Sequence, residues 1–193
     1  EPVEETPVAE PAEAGTGLMP VTQAARDMFT AKQVGALKRT VFRNLAEDKF
    51  VTALEVAARY NLNPWTGEIY AADMNGAMVI MIGRDGYLAH ASRQEVFSGV
   101  VSDVVHKNDV FKVTWQTSEK GAFPNVHHEY PEDRGEVIGA WAVVYRTDRS
   151  PTYFYAPLDE YKKGGGPWAK QKSAMIVKCA QSTALRIAFN ISG

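Results

Sequence analysis

Residues 161–189 carry six basic side chains and not one Asp or Glu. A Lys/Gly loop leads through Pro167 and Trp168 into a pattern that predicts one long helix. At about 100° per residue, Lys172, Lys178 and Arg186 fall within roughly a third of the helical circumference. Ile176, Ala180, Ala184, Ile187 and Ala188 gather on the other side, a packing stripe kept thin by three alanines. Exposed helix faces of soluble proteins usually mix both signs of charge, so a row of one sign points to an anionic partner. Phosphate backbones are the commonest partner of that kind. The plainer reading is a solvated helix with a chance charge bias.

The formal net charge of −2, from 21 basic and 23 acidic residues, hides this asymmetry. Glu1, Glu4, Glu5, Glu10 and Glu13 fall in the first seventeen positions, which hold no Lys or Arg. Without them, 21 basic side chains face 18 acidic ones in residues 18–193. Residues 1–20 are mostly Pro, Glu and Ala with little to bury, and are expected to form a disordered acidic leader. A spacer role suits such a leader, as does competition with nucleic acid for the basic surface.

The chain is 45% hydrophobic over its full 193 residues, enough for a packed core in one domain. No run approaches the roughly 18 apolar residues of a membrane span, and no signal-peptide core opens the chain. A single cysteine, Cys179, excludes an internal disulfide and fits a cytoplasmic protein. Within its alanine-rich surroundings it reads as a packing residue, not a nucleophile.

Periodicity places a helix over residues 30–45, with Val34, Leu37, Val41 and Leu45 on one face. A second follows over 47–60, ended by Asn61 and the Asn63-Pro64 pair, because a residue before proline is pushed out of the helical region. Residues 68–72 and 77–82 predict a hairpin around Asp73-Met74-Asn75-Gly76, with the apolar run 78–82 as a buried central strand. A short helix is expected over 87–94. Residues 97–106 and 110–117 are expected to pair as a second hairpin, 118–135 to form a long polar connection, and 137–145 with 152–155 to make a third hairpin. A helical turn at 158–161 precedes the basic helix. The fold class is α+β: a mainly antiparallel sheet of hairpins flanked by helices, with a long C-terminal basic helix.

Catalytic constellations are missing from this pattern. His90, His106, His127 and His128 stand without the Cys pairs or HExxH spacing of a zinc site. Gly164-Gly165-Gly166-Pro167 lacks the Lys-Ser/Thr that closes a phosphate-binding loop, and Pro167 removes a backbone donor. Glu132-Asp133 and Asp159-Glu160 are loop neighbours better explained by solvation than by acid/base work. The chain is therefore read as neither an enzyme nor a cofactor protein. Nucleic-acid contacts fare better. Arg84, Arg146 and Arg149 sit at predicted strand ends or turns, interleaved with Trp65, Tyr87, Tyr145, Tyr153, Tyr155 and Trp168. Cations with stacking surfaces describe a sequence-tolerant single-strand binder, although most strand aromatics, Trp141, Tyr145 and Phe154 among them, are expected in the core.

Four segments in order carry a resemblance. They are Asn61-Leu62-Asn63-Pro64-Trp65-Thr66-Gly67-Glu68-Ile69-Tyr70, Ile82-Gly83-Arg84-Asp85-Gly86-Tyr87, Tyr145-Arg146-Thr147-Asp148-Arg149, and Gly166-Pro167-Trp168 followed by Met175, Lys178, Arg186 and Ala188-Phe189. Together they resemble the RecT/Red-beta (Bet) superfamily of phage single-strand annealing recombinases over residues 30–190. The resemblance implies an ATP-independent DNA-binding protein of bacteriophage-type recombination, active in the bacterial or infected cytoplasm. Such a protein coats ssDNA and anneals it to its complement as a homo-oligomeric ring or helical filament. By position it carries DNA-binding roles onto Arg43, Arg84, Arg146, Arg149, Lys172, Lys178 and Arg186, while residues 61–70 shape the groove wall. Gly67 and Thr147 stand where relatives can have lysine. Residues 21–193 would be the single-strand annealing domain. Expected partners are single-stranded DNA, the annealed duplex, further copies of the chain, and a phage exonuclease or host single-strand-binding protein. A plain ssDNA-binding or architectural module that protects strands without annealing them is the alternative.

Overall fold

The computed structural model describes residues 22–119 and 121–191; the expected acidic leader lies outside them. After α1 (Gln23–Met28), α2 (Ala31–Arg39) starts at a capping box. There the Thr30 hydroxyl accepts from the Gln33 N–H and the Gln33 side chain accepts from the Thr30 N–H. The helix stops six residues earlier than its periodicity suggests. The 3.6-residue pattern would have buried Val41, but the chain turns at Thr40 and buries Phe42 instead, leaving Val41 exposed. In α3 (Glu47–Arg59), Phe50, Ala53, Leu54 and Ala57 face the same core, and Glu47 and Asp48 complement the dipole of its first turn.

The segment after α3 caps itself. Asn61 takes a left-handed φ of 52°, and the Leu62 N–H returns to the Ala57 carbonyl at 2.8 Å. The Asn63 side chain accepts from the Trp65 N–H at 2.9 Å, and the Glu68 carboxylate accepts from the Asn63 N–H at 3.0 Å. These bonds hold a single 3-10 turn over Pro64–Thr66 and aim the chain into β1 (Ile69–Met74), which pairs antiparallel with β2 (Ala77–Ile82). Asn75 and Gly76 both have positive φ, as the tight turn between twisted strands requires. Lys49 pins that turn to α3 through Asp73 and the Gly76 carbonyl.

α4 (Arg84–Ser92) follows directly and lies against the hairpin's start. A Cβ at Gly86 would stand 2.1 Å from the Glu68 carbonyl oxygen and 2.9 Å from Ile82 Cγ2, so only glycine permits this approach. Gly86→Ala is expected to destabilise by about 1–3 kcal/mol, the usual effect of overpacking. For a chain of this size that lowers the melting temperature by roughly 3–10 °C. An unchanged thermal melt would show that the two segments separate at no expense.

The remaining strands are β3 (Phe97–His106), β4 (Val110–Ser118), β5 (Gly121–Glu129), β6 (Val137–Arg146) and β7 (Thr152–Pro157). Their pairing bears out the third expected hairpin and corrects the second. β3 pairs with β6, which also pairs with β7, whereas β4 pairs with β5. The strand buried on both faces is β6 and not residues 78–82, because Ala140, Ala142 and Val144 face one core while Trp141 and Val143 face another. β3 needs that apolar partner; β4, with Lys112, Thr114 and Gln116 facing outward, does not. β5 falls where the sequence suggests a connection. Pro124 disguises it, and is tolerated because β5 pairs on one side only, with Pro124 opposite Trp115.

α5 (Leu158–Tyr161) and α6 (Gly166–Lys170) lead into α7 (Lys172–Ala188). The expected long basic helix is α7, which starts after Gln171, whose φ of −138° and ψ of 50° are not helical and separate it from α6. Trp168 in α6 is buried in the core instead of offering a stacking surface. Beyond the break, Ile176, Ala180, Ala184 and Ala188 of α7 pack over Ala140 and Ala142 of β6. Small residues on both surfaces let helix and sheet approach closely. The fold is α+β with antiparallel sheets, and no described helix is long and apolar enough to cross a membrane.

Candidate nucleic-acid interface

The cationic face of α7 does not look out to open solvent alone. It forms one wall of a 620 Å³ groove whose other wall is the β1–β2 hairpin and the start of α4. Lys178, Arg186 and Arg84 line it together. A second cavity of 480 Å³ shares Met81, Ile82, Tyr87 and Arg186 with the first and adds Arg59 from the last turn of α3. Lys178 and Arg186 are about 12 Å apart along the helix axis, at 1.5 Å per residue. A negatively charged chain lying along α7 could therefore touch both.

These cations are poorly compensated. Among the described residues no carboxylate pairs with Lys178 or Arg186. Arg84 meets Asp85 at 3.0 Å, but that carboxylate is largely exposed and such surface pairs contribute little. Burial raises the Tyr87 phenol pKa, with the nearby Arg186 charge opposing it. Tyr87 is therefore a neutral part of the wall. Cys179 lines the same groove, and burial pushes its thiol pKa up against the pull of Lys163, as expected of a packing residue and not a nucleophile.

The other residues singled out from the sequence lie apart. Arg146 turns inward. Its guanidinium binds Asp148 through two hydrogen bonds of 2.8 and 2.7 Å, donates to the Ala188 carbonyl, and lies 4.6 Å from the centre of the Phe189 ring. It fastens the end of β6 to the end of α7. Arg149 is exposed in the adjacent turn, 3.5 Å from the same Asp148, whose carboxyl Arg146 holds down at about 2. Lys172 lines a separate cavity with Glu136, Asp159 and Lys162. Arg43 is exposed in the turn after α2 and borders neither groove cavity.

Arg146→Ala is accordingly expected to lower stability by about 1–3 kcal/mol, since it strips partners from a mostly buried cation site. Arg149→Ala should leave the melting temperature within about 1 °C, as exposed pairs do. Thermal unfolding of the two variants side by side checks this, and equal melts would deny Arg146 its fastening role.

Sequence reasoning missed Arg59. Arg59 stands two residues before Asn61, on the polar face of a helix whose end the motif marks. That proximity to the motif was the available signal. Tyr70 ends the segment expected to shape a groove wall, and its ring lines the groove beside Met81 and Arg84.

Two comparisons bear on what such a groove serves. The RecT family model matches residues 27–193 of this chain. The recombination protein bet of Escherichia phage lambda is 26% identical over 162 residues, covering 83% of this chain and 54% of that protein. The chain thus spans about half the length of the curated relative it matches.

Proposed function

Because the chain belongs to the RecT family, we propose that it binds single-stranded DNA in the groove between α7 and the β1–β2 hairpin and anneals it to a complementary strand. The observation that carries this reading is the convergence of Arg84, Lys178 and Arg186 on one groove, where the exposed Asp85 pairs with Arg84 and, among the described residues, no carboxylate pairs with the other two. Cations at phosphates neutralise the repulsion between two strands and are indifferent to sequence, as annealing of arbitrary complements requires. Faster pairing then needs no covalent step and no nucleotide hydrolysis.

Arg59 extends the cationic lane beyond Arg186. Arg43, Arg149 and Lys172 meet DNA only where a bound strand runs past the groove, for instance across a neighbouring copy in a ring or filament. Cooperative assembly along one strand would join such grooves end to end. Recruitment of an exonuclease or a host single-strand-binding protein belongs to the same proposal.

The test is a stopped-flow measurement of pairing between two complementary labelled oligonucleotides, with the protein present and no ATP or other nucleotide. Pairing well above the spontaneous rate is expected. Binding accompanied by slower pairing would instead identify a protective single-strand-binding module, and pairing at the spontaneous rate without binding would remove both readings.

A further inference from the structure

The groove has two unlike walls. Cations stand on α7 and at the start of α4, while the hairpin wall is apolar. Tyr70 and Met81 are cross-strand partners in the β1–β2 ladder, and both side chains point away from the core. Tyr70 is 52% exposed and Met81 48%, a large apolar surface left open inside a charged groove. Phosphate binding alone gives that surface no purpose.

The Tyr70 ring also lies against backbone. A Cβ at Gly67 would lie 2.5 Å from its hydroxyl oxygen and 3.2 Å from Cζ, and one at Gly83 would lie 3.4 Å from Cε2. The ring therefore rests along two glycines, one from each of the first two motif segments. Gly67 has a φ of +72°, which favours glycine for its backbone as well as for the space. With one side of the ring against backbone and about half of the residue exposed, its open side is available to something stacking on it.

We propose that Tyr70, with Met81 beside it, is a base-stacking platform: the face of an unpaired nucleobase lies on it while the strand's phosphates meet Lys178, Arg186 and Arg84. This rests on the groove being the single-strand site. An unpaired strand is itself two-sided, with anionic phosphates along one edge and apolar base faces beside them, and the groove matches both. Aromatic stacking is sequence-tolerant because every base has a π-face. Met81 supplies a soft, polarisable neighbour. Stacking also holds a base by its face and leaves its Watson–Crick edge free for a complementary strand, which phosphate contacts alone would not orient.

The test compares the affinity of the wild type, Tyr70→Ala and Tyr70→Phe for a labelled oligothymidine and for an abasic strand of equal length and charge. The wild type is expected to prefer the strand with bases by about tenfold or more, the scale of aromatic stacking. Tyr70→Ala should lose most of that preference with its salt slope unchanged, and Tyr70→Phe should keep it. Equal wild-type affinity for both strands, or a preference intact in Tyr70→Ala, overturns the platform while leaving the cationic groove standing. Breakdown of a DNA-free assembly in Tyr70→Ala with base preference intact would assign the face to a second copy of the chain, and also overturns it. Failure of the wild type to bind either strand defeats the groove reading itself, and the platform with it.

Discussion

Changing Lys178 and Arg186 together to alanine is expected to weaken single-strand binding about a hundredfold near 0.1 M salt while the protein stays folded. Each charged hydrogen bond to a phosphate contributes on the order of 1.5–3 kcal/mol, so about tenfold per residue is a conservative expectation. The salt dependence gives a sharper signature. A single strand releases roughly 0.7 counterion per neutralised phosphate, so losing two contacts should flatten the slope of log K against log salt by about 1.4. Both side chains are exposed and free of carboxylate partners among the described residues, so the melting temperature should barely move. Lys172→Ala, in a separate cavity, is the control and should weaken binding far less. A large loss of affinity with an unchanged slope would mean that the two residues act on shape and not on phosphate.

The second large effect concerns stability and lies well outside the groove. Asp109, whose side chain is fully buried, accepts from Arg134 at 2.9 and 2.7 Å, from the His106 N–H at 2.8 Å and from His128 Nε2 at 2.9 Å. The Trp141 indole N–H donates to His128 Nδ1 at 3.1 Å, which fixes the ring with its proton on Nε2. Arg134 also donates to the Val104 carbonyl and lies over the Tyr130 ring, whose hydroxyl donates to Asp103. This knot fastens the β4–β5 hairpin to the central sheet. Arg134→Met leaves the Asp109 carboxylate buried without its cation, a change that typically costs about 3–5 kcal/mol. The melting temperature should fall by roughly 6–20 °C.

The acid dependence of that loss has a definite sign. The Arg134 guanidinium holds the Asp109 carboxyl well below the usual carboxylate range. A carboxyl with a depressed folded-state value stabilises the protein above its unfolded value and loses that contribution as pH falls. Wild-type stability should thus decline below about pH 4, where the unfolded carboxyl takes up its proton. Arg134→Met should show a shallower decline, so the two denaturation curves should converge in acid. Parallel curves from pH 7 to pH 3 would show that the ion pair does not carry the difference.

How much of this could be read from residues alone depended on range. Local signals succeeded. The Asn63-Pro64 stop, the Asn75-Gly76 turn and the alanine stripe of α7 each act within a few residues, and each took the expected form. Choices made by distant partners failed. Period-2 alternation identifies β3 and β4 as strands but does not say that β3 prefers the doubly buried β6, 40 residues away, to its neighbour in sequence. The same limit applies to the site. Lys178 and Arg186 share a helix face, so helical periodicity groups them directly. Arg84 joins them only because Gly86 lets α4 close against Glu68, and Arg146 leaves the candidate surface because Asp148 and the end of α7 draw it inward. For Tyr70 the sequence assigns a place in the groove wall, but its seat against Gly67 and Gly83 appears only when the fold brings the two glycines together.

The location of the strand can be read directly by photocrosslinking. A single-stranded oligonucleotide carrying 4-thiothymidine at scattered positions would be irradiated in complex with the full chain, and the modified peptides mapped by mass spectrometry. Crosslinks should concentrate on Tyr70, on residues 81–87 and on residues 175–186, the two walls of the groove. Crosslinks confined to the β4–β5 hairpin or to the turn holding Arg43, with α7 unmarked, would contradict the account.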